Sequence, residues 1–589
     1  ERTEIALLRD QTFLYIGVKC YDSAPSKIIA RQMRRDARMD DDDHFQVVLD
    51  TFHDRRNGYY FVVNSNGCRR DASFGDEGKS YNSDWDGIWD CGARINDKGW
   101  FAEIAIPWKT LRFAGSDTAT WGINFSRVIR RKNEEVFWQL IPRDAGRMAI
   151  FRLSQAGFCI GLSGIKSGGN IEVKPYLLGG AENDASTNFD LNNVQNFGVD
   201  AKLNLSSNVA MNLTWNTDFA QVEADQERIN LTRFSLYFPE KREFFLDGAE
   251  IFNFGGQSIS GRRGSGNGVR LFYSRRIGIQ DGFQQPLLYG AKLFGTAGKF
   301  QTGVLNVLTE EMTAYDEEEE EELFFPATSF TVLRMRRDVL RRSSVGFMFL
   351  NKEQANSNDY NRSGGVDANF PLTDRFSVNG ALASTFGPEE IEDDELVKRN
   401  ENNFAGNIEF AYDSDLWDIE LSHLNIQDNF NAELGYVRRT GIKNIQAEVE
   451  FAPRPKRWPS IRQIRYQLSG GYLTDQNNSK LESSISPSLG IRFQNSAFMY
   501  LGLEHESEYI DEEWEVRPGF IIPVDNYSGW GSYLWMSTDE SRDISGSLQV
   551  NYGNYFTGQR FSINPEVLFA RFDRLMAEFD VSFNYVTLP

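Results

Sequence analysis

The chain has 589 residues, too many for one ordinary core, so it holds two or more folding units or one very large barrel. Aromatic residues make up 13% and glycine occurs 50 times, a mix that favours β structure with many turns. A net charge of −21, from 84 acids against 63 bases, excludes a general nucleic-acid binder, which needs a basic footprint, and argues against acidic partners as well.

No run of 18 apolar residues occurs, so no membrane-spanning helix is expected. Barrel strands need only about 9 to 11 alternating residues, and a mean hydropathy of −0.47 is compatible with an outer-membrane barrel. The chain starts at Glu1 without Met or an apolar leader, which reads as a processed or truncated product.

Taken in chain order, short strands are predicted over 13–21, 44–50, 58–64, 100–106, 121–127 and 135–141, with Asn, Gly and Asp turns between them. That spacing points to a β-sandwich over residues 1–160. The acidic run at 40–43 offers hard oxygen donors, and Asp42 and Asp43 are its candidate calcium ligands. The competing reading is a solvated acidic turn that blunts a strand edge. Trp85, Trp89, Trp108 and Trp138, with Arg69, Asp84 and Asp86 nearby, form a candidate carbohydrate-binding set, because a sugar packs its C–H face on an indole and needs polar partners at the rim. Against it stands the ordinary use of tryptophan in a sandwich core. The four cysteines, Cys20, Cys68, Cys91 and Cys159, form no CxxC pair and make a zinc site improbable; Cys68 and Cys91 are either a disulfide or free buried thiols.

From about residue 165 to 589 the pattern becomes a ladder of hairpins. Val199, Ala201, Leu203 and Leu205 alternate with polar residues, and after a turn at 206–208 Val209, Met211, Leu213 and Trp215 do the same. The pattern recurs around Phe376, Ile544 and Phe579. One face of such strands meets an apolar medium and the other meets water. Short turns near 206, 296, 340, 373, 414 and 494 alternate with longer connections near 185, 240, 318, 357 and 395, the asymmetry of a porin-like barrel. Counting by this pattern gives roughly 20 strands or more, with no obvious closing strand, so the barrel is expected to be incomplete over these residues.

Residues 216–255 interrupt the ladder. Residues 221–230 are compatible with a helix, and Phe234, Tyr237, Phe238, Phe244, Phe245, Phe252 and Phe254 follow around Pro239. The loop parity places this stretch at the outer end of the barrel, where it is read as an inward-folded plug or constriction carrying Asp218, Glu223, Asp225, Arg228, Arg233, Lys241 and Arg242. The acidic run 317–322 reads as a solvated loop tip, and the glycine-rich 261–268 lacks the ending and setting of a phosphate-binding loop. The scattered His44, His53, His423 and His505 make neither a triad nor a metalloprotease motif.

The runs DDDDHFQVVLDTFHDRRNGYYFVVNSNG, SDWDGIWD and GWFAEIAIPWKTLRF resemble the carbohydrate-binding module family 9-like (DOMON-like) domain at the N-terminus of a large group of uncharacterised bacterial outer-membrane proteins. In that group such a domain precedes a segment similar to NTDFAQVEADQERINLTRFSLYFPEKREFFLDGAEIF and, later, one similar to NAELGYVRR at 431–439. The resemblance implies an all-β chain, a sandwich followed by a large antiparallel transmembrane barrel, with calcium and glycan binding as further implications. It places the barrel in the outer membrane; with the first domain read as periplasmic, the strand at 171–178 runs outward and the loop parity is consistent. Cysteines at 68 and 91 depart from the small or aliphatic residues expected there.

Three functions stay open at this level. The first is a channel or transport component in contact with outer-membrane lipid, for glycans or other polar solutes. The second is a structural or accessory subunit with a plugged barrel that partners other outer-membrane proteins. The third is a glycan hydrolase built on acid pairs such as Asp84 and Asp86, or Asp247 and Glu250. The chain is read as a non-enzyme without nucleic-acid partners, and calcium is the single candidate cofactor.

Overall fold

The computed structural model describes residues 1–588 except 84, 114–117, 166–170, 184–190, 207, 218–232, 256–268, 281–282, 317–320, 341, 393–394, 518, 540 and 573–574. The expected helix over 221–230, the loop 261–268, most of the acidic run and Asp84 therefore lie outside the described residues.

The chain is all-β. Two sheets open it. One runs Thr3–Arg9, Phe13–Tyr21, Gly99–Pro107, Asp90–Asn96. The other runs Glu134–Phe137, Thr118–Ile129, His44–Asp50, Gly58–Asn64, Arg69–Gly75, Ser80–Asn82, with Gly157–Ser163 also paired to Thr118–Ile129. Period-2 alternation sends Leu14, Ile16, Val18 and Cys20 inward, where they meet Ile104, Ile106, Phe45, Val47, Phe61 and Trp121. Each such aliphatic or Phe side chain taken out of water stabilises the sandwich by about 1.5–3 kcal/mol. His44–Asp50 is buried along its whole length because its second face is also covered, Val48 packing with Ile150, Phe151 and Leu153.

A third, twenty-stranded antiparallel sheet follows as a meander in strict chain order, from Ile171–Asn183 to Phe583–Thr587. Its last two strands, Leu575–Asp580 and Phe583–Thr587, both pair with Gly558–Phe572 and so continue one another across its edge. Among the described residues the first and last strands do not pair with each other. Tight turns at one end of the sheet, such as 372–375 and 414–416, contrast with the other end, where the loops carry hairpins of their own: Met312–Asp316 with Glu321–Phe325, and Trp514–Arg517 with Phe520–Ile522.

The two faces of this sheet differ. Leu293, Met335, Phe347, Leu382, Leu421, Leu468 and Leu501 project from one face into open surroundings. Trp417 and Tyr466 stand on that face near the tight turns, and Trp215, Tyr289, Tyr472, Trp530 and Tyr552 stand towards the looped end. The other face carries the inserted segments and is called the inner face below.

Candidate functional site

The described part of the first insert, from Arg233 onward, packs into the inner face. Its apolar half turns through the short helix Glu243–Leu246 and, after Gly248 with φ +74°, the 3-10 turn Ala249–Phe252. This buries Phe244, Phe245, Ile251, Phe252 and Phe254 against Phe294, Leu305, Val307, Phe330, Val332 and Met348 of the wall. Glycines make the seats. A Cβ at Gly290 would lie 2.9 Å from Phe244, at Gly303 2.6 Å from Phe252, and at Gly365 2.5 Å from Phe254. Such distances exclude any side chain, which is why a strand interior tolerates glycine there.

Charges fix the insert where it meets the wall and the sandwich. Asp247 accepts from Arg112 of the sandwich at 2.7 Å and from Asn212 of the wall at 3.0 Å. The Lys292 ammonium, almost fully buried, donates to the carbonyls of Phe244 and Asp247. Glu243 pairs with Lys174 at 2.8 Å and Lys202 at 2.6 Å. Of the residues expected to carry the plug's charge, Arg242 is buried and held by Glu240 at 2.8 Å and by the carbonyls of Ile277 and Ser274, so it is a strut within the insert. Arg233 reaches Asp511 at 2.5 Å. Lys241 adjoins the strut, its backbone N–H donating to Glu240 at 3.0 Å. Asp218, Glu223, Asp225 and Arg228 lie outside the described residues.

A second insert, 427–441, folds against the first and buries Phe430, Ala432 and Leu434. Arg270 and Tyr436 exchange backbone hydrogen bonds at 3.1 and 2.8 Å, and Tyr237, Tyr273 and Tyr436 pack mutually with centroids 5.1 to 5.7 Å apart. Arg439 joins the Arg233 cluster, donating to Glu482 and Asp511 at 3.1 Å. The described parts of the two motifs most distinctive in the sequence thus pack together.

The rest of the inner face is not packed. From Phe404–Asp413 to Gly558–Phe572, register places Glu409, Glu420, Glu448, Glu450, Glu504 and Glu506 inward with Gln467, Ser486 and Asn551, half-buried or exposed, while apolar neighbours point out. One side of the interior is filled and the other is polar and acidic.

The sandwich meets the tight-turn end through arginines presented on carboxylate-bound loops. Asp50 and Asp54 accept the N–H groups of Asp54, Arg55, Arg56 and Asn57, and the turn so fixed delivers Arg56 to Asp338 at 2.6 Å and Ser344 at 3.0 Å. Arg31 donates to the carbonyls of Ser541 and Arg542, and Arg130 pairs with Asp539 at 3.3 Å. Asp76 joins Arg56 to Arg336. Burial works against its ionisation, but the two guanidinium groups outweigh burial and hold this carboxyl well below the usual range.

The candidate calcium ligands have other work. Asp42 accepts the N–H groups of Arg31 and Gln32 and the Asn64 amide, and Asp43 accepts the N–H of Ile29, so both carboxylates staple the segment that aims Arg31. Burial pushes Asp43 up to about 6. Among the described residues no group of three or more His, Cys, Asp or Glu side chains is placed to hold a metal. The tryptophans do not form a common platform. Trp89 and Trp108 are core, at 3% and 1% exposure, and offer no face to a sugar. Trp85 is half-buried against Tyr59, Trp138 is 49% exposed beside Phe125, and Arg69 is spent on Asp90 and the Trp89 carbonyl. All four cysteines are free.

The family described as "domain of unknown function (DUF5916)" matches residues 170–586. No curated protein matches the chain. Among solved structures, the translocation pore of the P pilus usher PapC is 8% identical, covering 92% of this chain and 96% of its own, with a TM-score of 0.27. OprD of Pseudomonas aeruginosa is 8% identical over 93% and 96% at 0.24, and OccAB2 of Acinetobacter baumannii 7% over 92% and 96% at 0.23. At such scores the architecture rests on its own strand pairing.

Proposed function

The chain belongs to the DUF5916 family, and we propose that it is an outer-membrane β-barrel transport component whose lumen is half filled by its inserts and half open to small polar solutes. The observation that carries this is the two-sided wall. An apolar outer face flanked by aromatics suits lipid: Tyr466 and Tyr472 lie on one strand, roughly 20 Å apart at 3.3 Å per residue, close to the height of a barrel's lipid belt. The acidic half of the interior favours neutral and cationic solutes over anions by ordinary charge repulsion. The sandwich, capping the tight-turn end, is read as periplasmic, since tight turns face that compartment in such barrels.

Liposome swelling with purified protein tests this reading. Arginine should enter faster than glutamate, and equal exclusion of both would sink it. A second reading, an accessory subunit with a sealed barrel, draws on the Arg112–Asp247 contact, which ties cap to insert. It predicts no swelling together with stable co-purifying partners.

A further inference from the structure

At the looped end both inserts fasten onto one corner of the open, acidic half of the wall. Residues 233–237 of the first insert meet 436–439 of the second: the Tyr436 hydroxyl donates to the Ser235 carbonyl at 2.7 Å, and the Arg438 guanidinium lies 4.4 Å from the Phe234 ring. Two arginines leave this seam for the wall. Arg233 reaches Asp511 at 2.5 Å and Glu508 at 3.5 Å, while Arg439 reaches the same Asp511 and Glu482, each at 3.1 Å. Asp511 directly follows the strand Phe498–Ile510, and register sets Glu508 opposite Glu482 of the neighbouring strand Lys480–Phe493. Like charges directly opposite each other destabilise a sheet, so this corner draws on the guanidinium groups that the inserts supply. Deeper along the same strand, Glu506 and Glu504 continue the acidic wall inward.

We propose that this pair of arginines on Asp511 is the outer gate of the open half, an inference that rests on the transport reading and adds its regulation. Held on Asp511, Arg233 and Arg439 keep both inserts drawn across the mouth and neutralise its carboxylates. Released, they leave Glu482, Glu508 and Asp511 as a cation-attracting entry to the acidic wall below. The three carboxylate side chains are 33% to 44% exposed. Ion pairs so exposed are individually weak and are screened by salt, so the strap opens at small cost. The inserts stay folded when it does, because Phe244, Phe252 and Phe254 are seated against the glycines of another part of the wall.

The test compares the wild-type full chain with Asp511→Asn, in planar bilayers and by hydrogen exchange in detergent. Glu513→Gln, an exposed neighbour on the same loop, is the control. In Asp511→Asn the amides of 233–238 and 436–441 should exchange about fivefold faster, the loss expected when two half-exposed pairs are broken, while those of 243–252 stay as they are. Its conductance at about 0.1 M salt should rise at least about twofold, and the wild type should approach it at about 1 M, where the screening length falls from about 10 to about 3 Å. Arg439→Gln, which breaks the strap from the other side, should do the same, and Glu513→Gln should match the wild type. A conducting wild type whose conductance neither strap variant changes overturns the gate alone, whatever the exchange rates do. Silence of all the proteins in the bilayer overturns the transport reading and the gate with it.

Discussion

Phe254 of the insert occupies the space that Gly365 of the wall leaves empty, a Cβ there falling 2.5 Å from its ring. The Arg334 guanidinium lies 5.8 Å from the same ring and forms a bidentate pair with Asp367, at 2.5 and 2.8 Å. A phenylalanine seated in this way has no second position available without moving the insert. Phe254→Ala should therefore destabilise the insert by about 3–5 kcal/mol. Limited proteolysis of the folded protein should cut residues 233–255 faster while the wall stays intact. Gly365→Ala tests the same seat from the other side. It should cost about 1–3 kcal/mol by overpacking, in a position where the Leu382 carbonyl also crowds the new atom.

Arg112 and Asp247 join two parts of the chain 135 residues apart, in a nearly dry junction with Asn212 and Lys292. Removing one partner strands the other charge, and Arg112→Gln or Asp247→Asn should each cost about 3–5 kcal/mol. The double variant should cost less than the sum of the two. A double-mutant cycle on the thermal unfolding of the whole chain reads this coupling, and strict additivity would show that the contact holds nothing together.

The sandwich carries a pH signature. Burial pushes the Asp71 carboxyl up to about 6, against the lowering pull of the Gly87 amide and Arg35. For a carboxyl with a raised folded value, the stability it contributes is present below about pH 4 and lost as pH rises through about 6. Buried His44 has a lowered folded value and works the opposite way, losing stability as pH falls. Comparing the wild type with Asp71→Asn isolates Asp71. Between pH 4 and pH 7.5 the wild type should lose about 2 kcal/mol relative to the variant, measured by denaturant unfolding at each pH. A difference independent of pH contradicts the assignment.

The acidic half of the interior predicts a graded effect on ion preference. Neutralising Glu448 and Glu504 together, as Glu448→Gln with Glu504→Gln, should lower the cation-to-anion permeability ratio and leave stability nearly unchanged, since both side chains are only half-buried. An unchanged ratio would mean that ions do not pass along this wall.

Much of this architecture is legible in the residues. Period-2 alternation around Val209 and Ile544 locates strands and their faces, and the unequal loops separate the two ends of the sheet, because a tight turn and a long insertion leave different residue patterns. The strand Thr3–Arg9 is not among the expected ones; the signal that marks it is Asp10, whose carboxylate accepts the N–H groups of Thr12 and Phe13 and turns the chain into Phe13–Tyr21. Tryptophan content could not separate a ligand platform from a core, and Trp89 and Trp108 went to the core because inward positions of a sandwich demand bulk. Asp42 and Asp43 look like metal donors in one dimension. In three dimensions they are acceptors for the backbone of 29–32. Arg56, Arg112 and Lys292 carried no local signal, because their partners are distant in sequence. The wall glycines did carry one. Gly290, Gly303 and Gly365 sit inside otherwise regular strands, where glycine weakens the strand unless something must come close.

A lumen filled on one side and acid-lined on the other sets the reversal potential of the wild-type protein in planar bilayers under a potassium chloride gradient. The expected result is a small, steady conductance whose reversal potential has the sign of cation preference. Folded protein that inserts but stays silent, or that reverses with anion preference, would contradict it.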